Sequence, residues 1–145
     1  MDYINLGFSG NAKAEDEIAA YIKELPMSLF VYDYDHNAPS LEYLQATHEK
    51  MFRIIRDRNP NLPIVMMSKP QFYLNPADEK RRQVVERTYQ NAIHAGDKNV
   101  YFIPGQDLMT YCGNDGTVDA VHPTDYGFFS MAKVLGDLIE KHHLL

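Results

Sequence analysis

The sequence predicts an α/β protein: a three-layer α/β/α sandwich with helices on both faces of a mostly parallel sheet. Three observations carry that reading. Short apolar runs of strand length alternate with longer segments of helical periodicity along the chain. One of these runs, residues 62–67, is continuously apolar, which suits a strand buried on both faces. The helical segments bring their own start and stop residues, among them Ser40, Asn75-Pro76, Gly96 and Thr124.

Taken in order, residues 3–8 read as a first strand that runs into the loop Ser9-Gly10-Asn11. An amphipathic helix is expected over 13–25. Its acids Glu15, Asp16 and Glu17 lie in the first turn, where they suit the helix dipole, and Ile18, Tyr21, Ile22 and Leu25 share a face. Pro26 ends it. Residues 28–34 form the next strand, followed by the polar loop Asp35-His36-Asn37. Ser40 caps a long helix with Leu41, Leu44, His48, Met51 and Ile55 on its inner face, and Asn59-Pro60-Asn61 stops it. Beyond the strand at 62–67, Asn75 caps a helix that has Pro76 at its first position, runs to Ala95 and closes at Gly96. Residues 100–103 are the last strand. After a loop rich in Gly, Asn and Asp, Thr124 caps a final helix carrying Phe128, Met131, Leu135 and Leu138. The order is β-α-β-α-β-α-β-α with no repeat or linker, so residues 1–145 are expected to be one domain.

At 45% hydrophobic and 23% charged, a chain of 145 residues can bury a core without disulfides or a structural metal. The formal net charge of −6, with no basic stripe, argues against nucleic acid as a partner. Lys80-Arg81-Arg82 stands among Asp78, Glu79 and Glu86 and reads as a solvated helix face. The single cysteine, Cys112, cannot form an internal disulfide. A free thiol and the lack of a basic-then-apolar leader favour a cytoplasmic location. No apolar run reaches the length of a membrane span.

In open parallel sheets, ligands bind at the C-terminal ends of the strands, which points to the loops at 9–11, 35–37, 68–73 and 113–122. The last of these carries Asp119-Ala120-Val121-His122-Pro123. An Asp three residues ahead of a His can bond the imidazole and fix its tautomer. The other ring nitrogen is then free to act as general base toward a hydroxyl, and later as acid toward a leaving group. The same short spacing also occurs in polar turns without chemistry, and spacing alone does not choose between the two. A metal site built from His122, His142 and His143 lacks any supporting carboxylate or cysteine spacing. Gly7-Phe8-Ser9-Gly10 is too short for a phosphate loop, so no cofactor is expected.

The run DAVHPTDYGFFSMA, with D-x-x-H-P just before the last helix, resembles the SGNH/GDSL-type hydrolases, the GDSL-like lipase/acylhydrolase family. Residues 5–11, NLGFSGN, resemble the family's second block, and residues 33–37, DYDHN, stand where its third block falls. The resemblance implies a flavodoxin-like sheet and hydrolysis of carboxylic esters, acetyl or other short acyl groups on carbohydrates among them. The implied partner is thus a small-molecule or carbohydrate ester. It further implies Asp119 and His122 as the catalytic pair, with the Gly10 backbone N–H and the Asn37 side chain as oxyanion donors. Against the family's G-x-N-D, no Gly precedes Asn37 at the matching place and Ala38 follows it. An Asn turn ahead of Pro39 is the other reading of that residue. Gly113-Asn114-Asp115 imitates the motif but follows the last strand, and reads as a turn.

The family's nucleophile is a serine in a G-D-S or G-S-S block that follows a first strand and precedes the second block. This sequence begins at the second block, so the resemblance implies that the strand and its serine lie outside it. Ser9 lies beside Gly10 on the oxyanion loop and would have to turn its hydroxyl onto His122. Ser40 reads as a helix cap and Ser68 as a strand end. In a sheet of order 2-1-3-4-5 the first strand is interior. Its absence predicts a rearranged sheet, or an exposed edge filled by another chain in a homo-oligomer. Two further functions stay open: an SGNH-like module that binds without catalysis, and an unrelated flavodoxin-like binding domain.

Overall fold

The computed structural model describes residues 2–145. The elements follow in the order α1 (Asp16–Ile22), β1 (Phe30–Tyr32), α2 (Leu41–Arg58), β2 (Ile64–Met67), α3 (Pro76–His94), β3 (Val100–Ile103), α4 (Gly105–Leu108) and α5 (Asp125–His142). The three strands form one parallel sheet in the order β1-β2-β3. Phe30, Val31 and Tyr32 lie opposite Ile64, Val65 and Met66, and β2 continues in register onto β3 from Ile64↔Val100 to Met67↔Ile103. The chain is therefore α/β, as its alternation of apolar runs and helical segments predicts.

The three long helices start where the sequence says they should. Ser40 Oγ accepts the Tyr43 N–H at 3.1 Å, Asn75 Oδ1 accepts those of Ala77 and Asp78 at 2.9 and 3.0 Å, and Thr124 Oγ1 accepts that of Gly127 at 3.1 Å. Each bond satisfies an amide that the first helical turn leaves without a partner. On one face of the sheet, α1, α2 and α3 close a core around Leu44, Ile55, Ile64, Met66 and Val85. His48 belongs to this core, its Nδ1 2.8 Å from Thr88 Oγ1 and its ring stacked on Tyr32. On the other face, α5 lies over Val65, Met67 and Ile103.

Several expectations fail, each for a physical reason. Residues 3–8, read as a strand, run without a pairing partner. An apolar run becomes a strand only where a neighbour takes its N–H and C=O groups, and β1 is bonded to β2 alone. The described sheet thus has three strands, not four. The first helix begins at Asp16 rather than near 13, because Ala14 turns left-handed at φ 59. Tyr21, assigned to its inner face, is exposed, while Ala19 and Ile22 are buried. Phe128, assigned to the packed face of the last helix, stands in solvent. The basic cluster on α3 is only partly a solvated face. Arg82 pairs with Glu79 and Glu86 as expected, but Arg81 Nη1 donates to the carbonyl oxygens of Asp35 and Ala38 at 2.7 and 3.0 Å. Arg81 therefore fixes the loop that follows β1. The short α4 and the 3-10 turn Gly113–Gly116 have no periodicity long enough to be read from sequence.

Candidate active site

Residues 113–124 fold into a small closed loop ahead of α5. Thr117 and Pro123 form an antiparallel bridge, the Val118 N–H donates to the His122 carbonyl at 2.9 Å, and the Thr124 N–H donates to that of Gly116 at 2.9 Å. Gly127, in the first turn of α5, lets the loop sit this close, since a Cβ there would collide with the Gly116 carbonyl oxygen. Ser130 ties the same helix to the chain before the loop, donating to the Leu108 carbonyl at 2.6 Å and accepting the Tyr111 N–H at 3.1 Å.

The loop turns sharply at Ala120, φ 63, and this folds Asp119 back onto His122. Asp119 Oδ2 lies 2.8 Å from His122 Nδ1, while Oδ1 accepts the backbone N–H groups of His122 and Val121 at 2.8 and 3.0 Å. The backbone N–H of His122 first, and then its ring, hold the Asp119 carboxyl down at about 2. A carboxylate ionised at neutral pH on Nδ1 leaves Nε2 as the nitrogen available for proton transfer. The His122 side chain is 77% exposed, so that nitrogen has open access.

A cleft of about 590 Å³ gathers Ser9, Gly10, Asp33, Tyr34, His36, Asn37, Lys69, Pro70, Val121 and His122. Four residues singled out from the sequence, Gly10, Asn37, His122 and Ser9, therefore share one cleft, and Asp119 joins it through His122. Ser9 and Gly10, at φ 48 and φ 80, are the central residues of a tight turn closed by the Asn11 N–H on the Phe8 carbonyl at 3.1 Å. That bond uses the Asn11 amide, so the turn makes no demand on the Gly10 N–H. Asn37 ends a 3-10 turn, Asp35–Asn37, held by Arg81 from outside. A helix residue 43 or more positions away thus sets the place of a loop residue.

Of the cleft residues that sequence reasoning did not single out, Lys69, Asp33 and His36 carry the chemistry of note. Lys69 is buried, its Nζ 3.1 Å from Asp78 Oδ2, and its backbone N–H donates to Asp35 Oδ2 at 3.1 Å. Burial pushes the Asp35 carboxyl up to about 6 against the opposing Lys69 N–H. Asp33 keeps contact with solvent through the cleft, yet protein crowds it enough that burial, followed by the Asp35 charge, pushes its carboxyl up to about 7. His36 is lowered, by burial first and the Lys69 charge second. The signal available in the sequence was the spacing Asp33-x-Asp35 directly after an apolar run, which puts two carboxylates close together with Asp35 buried.

The Asp119–His122 pair therefore stands at the C-terminal edge of a parallel α/β sheet, the edge at which open sheets bind ligands. The model of the GDSL-like Lipase/Acylhydrolase family matches residues 1–140, and the chain belongs to that family. Among solved structures, a GDSL-like lipase from Bacteroides ovatus aligns with a TM-score of 0.80 at 27% identity, over 95% of this chain and 42% of its own. The salicylyl-acyltransferase SsfX3 of a tetracycline biosynthetic pathway aligns at 0.74 and 20% identity, over 92% and 43%. A family two carbohydrate esterase from Clostridium thermocellum aligns at 0.61 and 21% identity, over 86% and 38%. The latter two share the fold. The chain spans less than half the length of each of these solved chains. Among curated proteins none matches. No helix among the described residues is long and apolar enough to cross a membrane.

Proposed function

We propose that this chain carries the acid–base and oxyanion half of a carboxylic-ester hydrolase site. His122 is its general base, Asp119 orients that base, and the Gly10 N–H and the Asn37 side-chain amide stabilise the oxyanion. The observation that carries the reading is the 2.8 Å bond from Asp119 Oδ2 to His122 Nδ1, with the ring's other nitrogen open to a cleft that Gly10 and Asn37 also line. A hydroxyl attacking an acyl carbon would pass its proton to His122 Nε2 as the new C–O bond forms. The negative charge that gathers on the carbonyl oxygen needs donors already in place, which is the part played by Gly10 and Asn37. Collapse of the tetrahedral adduct then expels the alcohol, which recovers the proton from His122. A water repeats the sequence to release the acid.

Among the described residues Ser9 is the one serine lining the cleft, and it stands on the same left-handed turn as Gly10. We therefore read the attacking hydroxyl as coming from outside residues 1–145, as the family resemblance implies. Residues 1–145 by themselves would then act mainly through a His122-activated water. A triad hydrolase deprived of its nucleophile retains roughly 10³-fold acceleration over water from the oxyanion hole and binding. The family kinship, together with relatives described as a lipase and a carbohydrate esterase, supports an ester substrate, with a short acyl group on a small alcohol or carbohydrate as the favoured class. That the described residues bring no serine but Ser9 to the cleft favours one second reading, a binding module without turnover.

Hydrolysis of p-nitrophenyl acetate separates the two readings. His122→Ala should lower the rate to what the oxyanion donors and binding alone supply, and Asp119→Asn should lower it in the same direction. Equal rates for the parent and His122→Ala would remove His122 from any catalytic role and leave the binding module. Unchanged turnover in Ser9→Ala would exclude Ser9 as nucleophile.

A further inference from the structure

The cleft holds a second imidazole besides that of His122. His36 is the middle residue of the 3-10 turn Asp35–Asn37, an exposed residue that lines the cleft directly before Asn37. Its backbone is braced from three sides. The Asn37 N–H closes the turn on the Tyr34 carbonyl at 2.9 Å. Asp35, only 1% exposed, accepts the Lys69 N–H through Oδ2 at 3.1 Å, which ties the loop after β1 to the loop after β2. Arg81 Nη1 joins the carbonyls of Asp35 and Ala38, which flank His36 and Asn37, at 2.7 and 3.0 Å. The ring therefore stands on a fixed support, and a ligand that meets it has little backbone left to order.

The polar side chains around the ring are engaged elsewhere. Lys69 Nζ lies 3.1 Å from Asp78 Oδ2, Arg81 holds its two carbonyls, and His122 Nδ1 is on Asp119 Oδ2. Among the described residues neither ring nitrogen of His36 forms a hydrogen bond, so both are free to meet a ligand. Burial first, and then the Lys69 charge, oppose a proton on the ring. At neutral pH it is neutral, with one N–H to donate and one bare nitrogen to accept.

These features select a chemistry. A hydroxyl donates and accepts at once, so it can answer either ring nitrogen, which an alkyl group cannot do. An anionic group is poorly served: the one lysine lining the cleft among the described residues is already neutralised by Asp78, and His122 brings the Asp119 carboxylate with it. If Asn37 receives the carbonyl oxygen and the acyl group is short, the hydroxyl that reaches His36 belongs to the alcohol half of the ester.

We propose that His36 is a specificity-determining residue, whose ring binds a hydroxyl of the alcohol half and makes the ester of an uncharged polyol the preferred substrate. The assignment rests on the cleft being an ester hydrolase site.

Glycerol monoacetate and ethyl acetate carry the same acyl group and differ in the hydroxyls of the alcohol. Acetate release by the parent chain should favour the glycerol ester in kcat/KM. His36→Phe should lower the ratio of the two values at least about fivefold, the worth of one hydrogen bond between neutral groups. His36→Gln, which keeps a donor and an acceptor, should retain most of the ratio. Far-UV circular dichroism checks that both variants fold, and a second measurement needs neither of them. Glycerol monoacetate titrated into His122→Ala should shift the ring proton resonances of His36 in NMR spectra, and ethyl acetate should not. Turnover by the parent no faster than that of His122→Ala would remove the general base and leave these shifts to decide hydroxyl binding. Three results would overturn the proposal. One is a ratio that His36→Phe leaves intact. Another is a set of His36 resonances that ignore both esters or answer both alike. The third is a preference for choline acetate over the glycerol ester, meaning that the cleft selects charge.

Discussion

Helices α2 and α5 are each 18 residues long, each is capped by a hydroxyl and each lies on one face of the same sheet, yet they are buried differently. Along α2, Leu44, His48, Met51, Phe52 and Ile55 are all buried. Along α5 the aliphatic positions Met131, Val134, Leu135, Leu138 and Ile139 are only partly covered, and the buried residues are Gly127 and Ser130. The difference does not lie in the amphipathic pattern, which both have. Helix α2 has α1 on one flank and α3 on the other, whereas α5 borders the groove beside β1. A helix face is buried by its neighbours, and its own sequence states only that it can be.

The sharpest way to break this comparison is a matched pair of truncations. Leu44→Ala should cost about 2–5 kcal/mol, since Leu44 has no solvent contact and its neighbours can close the void only in part. Leu135→Ala, on the open face, should cost well under half of that in the same urea titration. Equal losses would mean that the groove is filled in solution.

Gly127→Ala comes next. The new methyl would strike the Gly116 carbonyl, so about 1–3 kcal/mol of strain is expected. The loop carrying Asp119 and His122 must shift to relieve it, which should appear as a changed histidine ring resonance of His122 in NMR spectra.

Acidity separates the closed face from the cleft. Burial holds His48 down at about 3, so the folded chain binds fewer protons there than the unfolded chain does below 6.5. The share of stability from His48 is whole above pH 6.5 and drains as the pH falls. Asp33 and Asp35, raised to about 7 and about 6 from 3.8, behave oppositely, their share being whole below 3.8 and lost as pH rises through the folded values. From pH 7 to 5 the buried Asp35 and His48 act in opposite directions in the parent chain, while the exposure of Asp33 screens its share. His48→Phe removes one side of the balance, and its stability relative to the parent should rise by about 2 kcal/mol over that interval. Parallel pH profiles for the two proteins would contradict a neutral core histidine. The smallest effect belongs to Ser40→Ala, about 1 kcal/mol from loss of the cap on α2, seen as a lower thermal midpoint.

Much of the fold was legible in the sequence because its signals are local. A cap and a 3.6-residue period define α2, α3 and α5 within a turn, since both the orphan amides and the apolar stripe belong to the helix itself. The Asp119–His122 pair was legible for the same reason, being three residues apart on one turn. Residues 3–8 were misread because strand formation is settled by a partner, and apolar content alone does not supply one. Lys69 passed unnoticed because its setting comes from residues distant in the chain: Asp35 lies 34 positions from the Lys69 amide that it accepts.

By itself, then, the sequence determined the helices with their caps, the buried run of β2, and an Asp bonded to a His ahead of α5. Each of these depends on contacts within a few residues. Only the tertiary structure decided that Gly10, Asn37 and His122 face one cleft, that Arg81 holds the loop bearing Asn37, and that β1 ends the sheet with an unpaired edge. These are relations between segments tens of residues apart. Packing and hydrogen-bond pairing choose among many such arrangements, and no local pattern carries that choice.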